Sequence, residues 1–148
     1  MYGSIVVGTD GSDTAKTAVR YAIDLARELG AKLQIVSAYE PVSGQRIRDE
    51  GKVAPKDIAW AVNPREDVMT MLENAVKEAH DAGVATVEMF ARQGEPADAI
   101  LDVAEEQRSD LIVVGNKGMT GTRRFLLGSV PNKVSHHAPC SVLIVRTT

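Results

Sequence analysis

The sequence predicts an open α/β fold, a parallel sheet with helices on both faces, and three observations carry that expectation. Short β-branched runs recur along the 148 residues, each is followed by a stretch with apolar residues at three- and four-residue steps, and clusters of Gly, Ser, Thr and Asp punctuate the changes. Parallel neighbours need a crossover connection, so strands that alternate with helices over the whole length imply parallel pairing and one doubly covered sheet.

The elements follow in order. Ile5-Val6-Val7 reads as a strand buried on both faces and ends at the turn cluster Gly8-Thr9-Asp10-Gly11-Ser12. From Asp13 to Leu29 the residues Ala15, Ala18, Val19, Ala22, Ala26 and Leu29 keep a helical period, with Ser12 as N-cap and Gly30 as the stop. Leu33 to Ala38 is the second strand. Residues Tyr39 to Val62, interrupted by Pro41 and Pro55 and carrying mixed charges, read as a surface loop without evident chemistry, which Trp60 is expected to pack against the body of the domain. Asn63-Pro64-Arg65-Glu66 opens a second helix with a capping residue, Pro at the first position and Glu at the third, and Gly83 closes it. Ala85 to Ala91 alternates polar and apolar residues as an edge strand with one wetter face would. A third helix is expected from Pro96 to Gln107, a fourth strand at Leu111–Val114, a fourth helix from about Ser129 and a fifth strand at Val142–Val145.

Composition narrows the function classes. A chain of this length with 44% hydrophobic residues buries roughly 70% of its unfolded surface as one domain, residues 1–148, without disulfide or structural metal. A formal net charge of -3 and 4% aromatic residues exclude the basic patch and stacking platforms of a nucleic-acid binder. The single cysteine, Cys140, forms no internal disulfide and fits a reducing compartment, where a small buried hydrophobe is its expected role. No run approaches 18 apolar residues and the N-terminus lacks a signal-peptide pattern, so a cytoplasmic protein without membrane partners is expected.

In open α/β sheets, ligands bind beyond the carboxyl ends of the strands, where the strand order reverses. Two glycine-rich segments lie at such ends: Gly8 to Ser12 after the first strand, and Gly115 to Val130 after the fourth. Gly115 and Gly118 let backbone approach a ribose or phosphate without a Cβ in the way. Gly128-Ser129 falls where the fourth helix begins, and free N–H groups with the positive dipole end suit an anion there. Neither a P-loop, which needs Gly-Lys-Ser/Thr, nor the dinucleotide fingerprint GxGxxG is present.

The ending Thr9-Asp10-Gly11-Ser12 of the first strand, the loop G-x2-G-x9-G-S from Gly115 to Ser129, and Ala138-Pro139-Cys140 before the last strand together resemble the universal stress protein family, over the whole chain and in its ATP-binding subgroup. The resemblance implies a five-stranded parallel sheet in the order 3-2-1-4-5, the adenine nucleotide alpha hydrolase-like fold, and a homodimer through the fifth strand. Pairing there would cover an apolar edge that is otherwise a liability.

The same resemblance places the adenine and ribose near Gly8, Thr9, Asp10 and Ala38, beside Val114 and Gly115, and the phosphates against Gly118, Gly128, Ser129 and Val130. Asp10 at a strand end can accept hydrogen bonds from a ribose hydroxyl. Gly8 departs from the larger residue common at its position, which loosens the hold on the base. Ser141 replaces a frequent proline and restores a backbone donor.

ATP is the expected ligand, with Mg2+ accompanying its phosphates, and AMP or cyclic AMP compete for the same contacts. Lys117, Arg123 and Arg124 read as a solvated loop face. His136-His137 is no metal pair, because adjacent helical residues point about 100° apart and no third ligand is in view. Neither a catalytic residue nor a general base stands out, so a regulatory nucleotide-binding protein is expected, with slow ATP hydrolysis or self-phosphorylation as the alternative. A pyrophosphatase or nucleotidyltransferase would need SGGxDS or HxGH, and a phospho-receiver domain an aspartate closing the third strand, where Phe90-Ala91 stands.

Overall fold

The computed structural model describes residues 2–39, 65–116 and 127–147. The surface loop after the second strand, Trp60, the Asn63-Pro64 cap and the loop residues Lys117, Gly118, Arg123 and Arg124 lie outside the described residues. Five strands, β1 (Ser4–Gly8), β2 (Lys32–Tyr39), β3 (Val87–Gln93), β4 (Leu111–Gly115) and β5 (Ser141–Val145), alternate with helices α1 (Asp13–Leu29), α2 (Arg65–Asp81), α3 (Pro96–Glu106) and α4 (Ser129–His137). All neighbouring strands pair in parallel, in the order β3-β2-β1-β4-β5.

The two faces of the sheet carry separate cores, as the period of two along each strand requires. Ile5, Val7, Leu33, Ile35 and Val113 point towards α1 and α2. Alanines at 18, 22 and 26, one turn apart and buried, let α1 lie close on that face. Val6, Val36, Ile112 and Val114 point the other way, onto Ile100 and Val103 of α3 and Val134 of α4.

Local signals fix the helix ends. Ser12 Oγ accepts from the Ala15 N–H at 3.2 Å, and Gly30 takes the left-handed conformation, φ 64°, that terminates α1. Strand β3 is shifted by two residues from its sequence expectation, running from Val87 to Gln93 rather than from Ala85 to Ala91. Its last two side chains are polar, so the pattern hid them, yet Arg92 and Gln93 pair with Ala38 and Tyr39.

Arg92 also holds Glu106 at the end of α3 through two hydrogen bonds of 2.8 and 2.7 Å. The guanidinium's hydrogen bonds pull the Glu106 carboxyl below its ordinary value of 4.5, against a smaller opposing effect of burial. The bridge therefore contributes stability that is complete above pH 4.5 and is lost as the pH falls through the lower folded value. Glu106→Gln is expected to lower Tm slightly at pH 7, since half-exposed ion pairs contribute little, and a series of thermal melts should show the difference from the parent vanish as the pH falls through that lowered value.

Candidate functional site

The strand pairing itself opens a crevice. Between β1 and β4 the ladder spans only Ile5↔Leu111 to Val7↔Val113. Beyond it β1 continues with β2, through Gly8↔Val36 and the Thr9 N–H bonded to Val36 O at 2.9 Å. Strand β4 continues with β5 to Gly115↔Val145. The two central strands thus part company at their carboxyl ends, at the point where α1 leaves on one face and α4 on the other, which is the topological switch point of a doubly wound sheet.

On the β1 lip stand Gly8, Thr9 and Asp10. Asp10 is 4% exposed, and its Oδ1 accepts from the Ser12 N–H at 2.9 Å, an Asx turn that starts the run into α1. Its Oδ2 is shielded from solvent and has no hydrogen-bond partner among the described residues. A buried carboxylate oxygen left unsatisfied costs on the order of 1–3 kcal/mol, so it marks a place where a donor is missing. The backbone around it is pinned: Ser37 Oγ donates to Thr9 O at 2.7 Å in a buried bond, and the Gly11 N–H donates to Thr9 Oγ1 at 3.1 Å. Gly11 itself holds φ 81°.

Gly8 lacks a side chain, but the space is not empty. A Cβ there would meet Ile100 Cδ1 and come within 2.8 Å of Ile100 Cγ1. Instead of leaving the crevice looser, the glycine admits α3 against β1. Ala38, 3% exposed, belongs to the same buried layer.

On the β4 lip are Val114, Gly115 and Asn116. Asn116, at an unspecified position of the G-x2-G-x9-G-S loop, is the staple of this side. Its N–H donates to Val145 O at 2.8 Å and its own carbonyl accepts from the Gly128 N–H at 3.0 Å. Its Oδ1 accepts from both the N–H and the hydroxyl of Thr147, each at 2.9 Å. The start of α4 is thereby brought beside the end of β4. The only available signal was an Asn directly after a strand-ending Gly, which is weak. Asn116→Ala is expected to weaken ligand binding about threefold to tenfold, roughly the worth of a hydrogen bond or two, while Tm falls by only a few degrees; calorimetry and a thermal melt check both.

The first turn of α4 presents donors. Gly128 is the N-cap, with no side-chain cap bond and no acidic residue in the turn after it. Pro131 has no N–H, and the first helical bond runs from the Asn132 N–H to Gly128 O at 3.1 Å. The N–H groups of Ser129 and Val130 therefore have no acceptor among the described residues, and the Ser129 hydroxyl stands beside them. Gly128 has φ -65°, so its glycine is not demanded by backbone conformation. Lys133 ties this helix to the start of α3, its Nζ 3.0 Å from Asp98 Oδ1 and 3.2 Å from Glu95 Oε1. Hydrogen bonds to those carboxylates hold its ammonium above the ordinary lysine value.

The structure thus brings Gly8, Thr9, Asp10, Val114, Gly115, Gly128, Ser129 and Val130 to one end of the sheet. His136 and His137 sit apart, in the last turn of α4, with ring centroids 6.5 Å apart; cationic character suits that end of a helix dipole. Burial, and to a lesser degree Asp110, pushes the Cys140 thiol above 9.0, which keeps it a thiol packed on the α3–α4 core and not a nucleophile.

An open sheet in this order, with the uncapped start of α4 and the buried Asp10 at the same end of it, defines a doubly wound α/β domain. The family model described as "Universal stress protein family" matches residues 1–146, and the chain belongs to that family. It is 41% identical to the universal stress protein Rv1636 of Mycobacterium tuberculosis, covering 99% of this chain and 98% of the relative, and 37% identical to YxiE of Bacillus subtilis, covering 99% and 100%. Among solved structures it is similar to a universal stress protein in complex with cAMP, with TM-score 0.75, 35% identity and coverage of 99% and 98%. A universal stress protein from Archaeoglobus fulgidus in complex with dAMP matches with TM-score 0.65, 26% identity and coverage of 98% of each chain.

Proposed function

We propose that this protein is an adenine-nucleotide-binding regulatory protein of the stress response, working as one cytoplasmic domain that pairs with a second copy through β5. The observation that carries the reading is the unpartnered, buried Oδ2 of Asp10 at a strand end facing the uncapped start of α4. A ribose hydroxyl supplies the donor that Asp10 lacks, displacing the atoms that now shield it. The N–H groups of Ser129 and Val130 hold a phosphate, with Gly115, Gly118 and Gly128 keeping Cβ atoms out of its way. The adenine lies near Gly8 and Ala38, beside Val114. The complexes of relatives with cAMP and dAMP support this chemistry.

Two backbone donors and one hydroxyl match a single phosphate, so a nucleoside monophosphate or cyclic AMP fits the described contacts, and ATP needs further ones from elsewhere. If ATP is the ligand, Mg2+ accompanies its phosphates. The dimer has a motive in β5, an edge strand on which Leu143 is 37% exposed, and no described helix is long and apolar enough to cross a membrane. Calorimetric titration with cyclic AMP, AMP and ATP tests the reading: saturable heat with at least one is expected, and a flat trace with all three overturns it. Phosphate release from ATP, measured alongside, would favour the slow-hydrolysis alternative.

A further inference from the structure

A second concavity lies on the other side of the β1–α1 turn. It is a groove of about 550 Å³ between α1 and α2, within the size range of small-molecule sites. Thr9 and Gly11 line its end, so it adjoins the crevice at Thr9, but Asp10, Gly115 and Ser129 are not among its walls, and the groove does not depend on the nucleotide reading.

Its floor is apolar. Val19 is buried, and Met71 and Ala75 pack partly onto the same core. Its walls carry opposite charge: Lys16 and Arg20, one turn apart, stand on α1, and Asp67 and Glu78 stand on α2. All four residues are exposed, and none of them forms an ion pair among the described residues. Thr70 and Asn74 add neutral hydrogen-bonding groups to the acidic wall.

A simple anion in this groove would meet Lys16 and Arg20 but face Asp67 and Glu78 unsatisfied, and a simple cation would meet the reverse. A molecule carrying both charges satisfies both walls, and an apolar body satisfies the floor. We propose that the groove binds a small zwitterion with an apolar side chain, the class of free aliphatic or thioether α-amino acids. The carboxylate lies towards Lys16 and Arg20, the ammonium towards Asp67 and Glu78, and the side chain on Val19, Met71 and Ala75.

The test is an amide-resolved NMR titration of the full chain, without nucleotide, using L-leucine and L-methionine. Isovalerate, which lacks the ammonium, and isoamylamine, which lacks the carboxylate, serve as controls. Saturating shifts at Val19, Arg20, Asn74 and Ala75 are expected with the amino acids, with each control at least about tenfold weaker, the loss that about 1.4 kcal/mol represents. The surface variant Lys16→Gln/Arg20→Gln should retain the parent's amide spectrum outside the groove and lose amino-acid affinity by a similar factor. Absence of saturating shifts, controls that bind as well as leucine, or a double variant that binds leucine as tightly as the parent would each overturn the proposal.

Discussion

Replacing Asp10 by asparagine is expected to leave the protein folded and to weaken adenine-nucleotide binding by about 10- to 100-fold, the loss that follows when a charge-assisted hydrogen bond of roughly 1.5–3 kcal/mol is removed. The substitution is nearly isosteric and keeps an acceptor for the Ser12 N–H, which Oδ1 now serves. What it changes is the second oxygen, the one without a partner, which becomes an amide that donates where a ribose hydroxyl also donates. Alanine at the same position would mix two effects, because it also removes the turn bond that launches α1. Calorimetry on Asp10→Asn with cyclic AMP and AMP, paired with a thermal melt, separates them: affinity falls and Tm holds, since the turn bond to the Ser12 N–H is kept.

The second large effect is expected at Gly8. Gly8→Ala inserts a Cβ into space occupied by Ile100, whose β-branched side chain on α3 has little rotamer freedom with which to yield. Overpacking of this kind costs about 1–3 kcal/mol, and Tm is expected to drop by about 3–10 °C for a domain of this size. Ile100→Ala alone is also destabilising because it empties part of the α3 layer. The pair Gly8→Ala/Ile100→Ala should be more stable than the sum of the two losses implies, with a coupling of about 1 kcal/mol or more. Urea denaturation of the four proteins measures it. Additive losses would mean that Gly8 and Ile100 do not share the space.

The fold was legible because every element is locally consistent. The β-branched runs at Ile5–Val7 and Leu111–Val114 admit one reading, and the cap at Ser12 and stop at Gly30 bound α1 to the residue. Strand boundaries shifted by a residue at several ends, and by two at β3, which ends in the polar Arg92 and Gln93. There a side chain pointing off a sheet edge carries no periodic signal, and its pairing partner Glu106 lies on another element.

The crevice was legible in part. Gly128 and Ser129 announce a helix start with free donors, and Asp10 announces a turn, yet neither the missing partner of Oδ2 nor its burial can be read from a string of residues. Asn116 and Ser37 were passed over because their roles are long-range: Asn116 reaches Thr147 thirty-one positions away, and Ser37 reaches Thr9 across twenty-eight. Gly8 was read against a family pattern as a gap beside the base. Only the packing of α3 shows that another side chain fills it.

The most direct test of the central claim is a crystal structure of the protein grown with cyclic AMP. The account expects the ribose 2′-hydroxyl within hydrogen-bonding distance of Asp10 Oδ2 and a phosphate oxygen on the N–H groups of Ser129 and Val130. A nucleotide seated elsewhere on the molecule, or one in the crevice whose sugar leaves Asp10 Oδ2 without a donor, would contradict it.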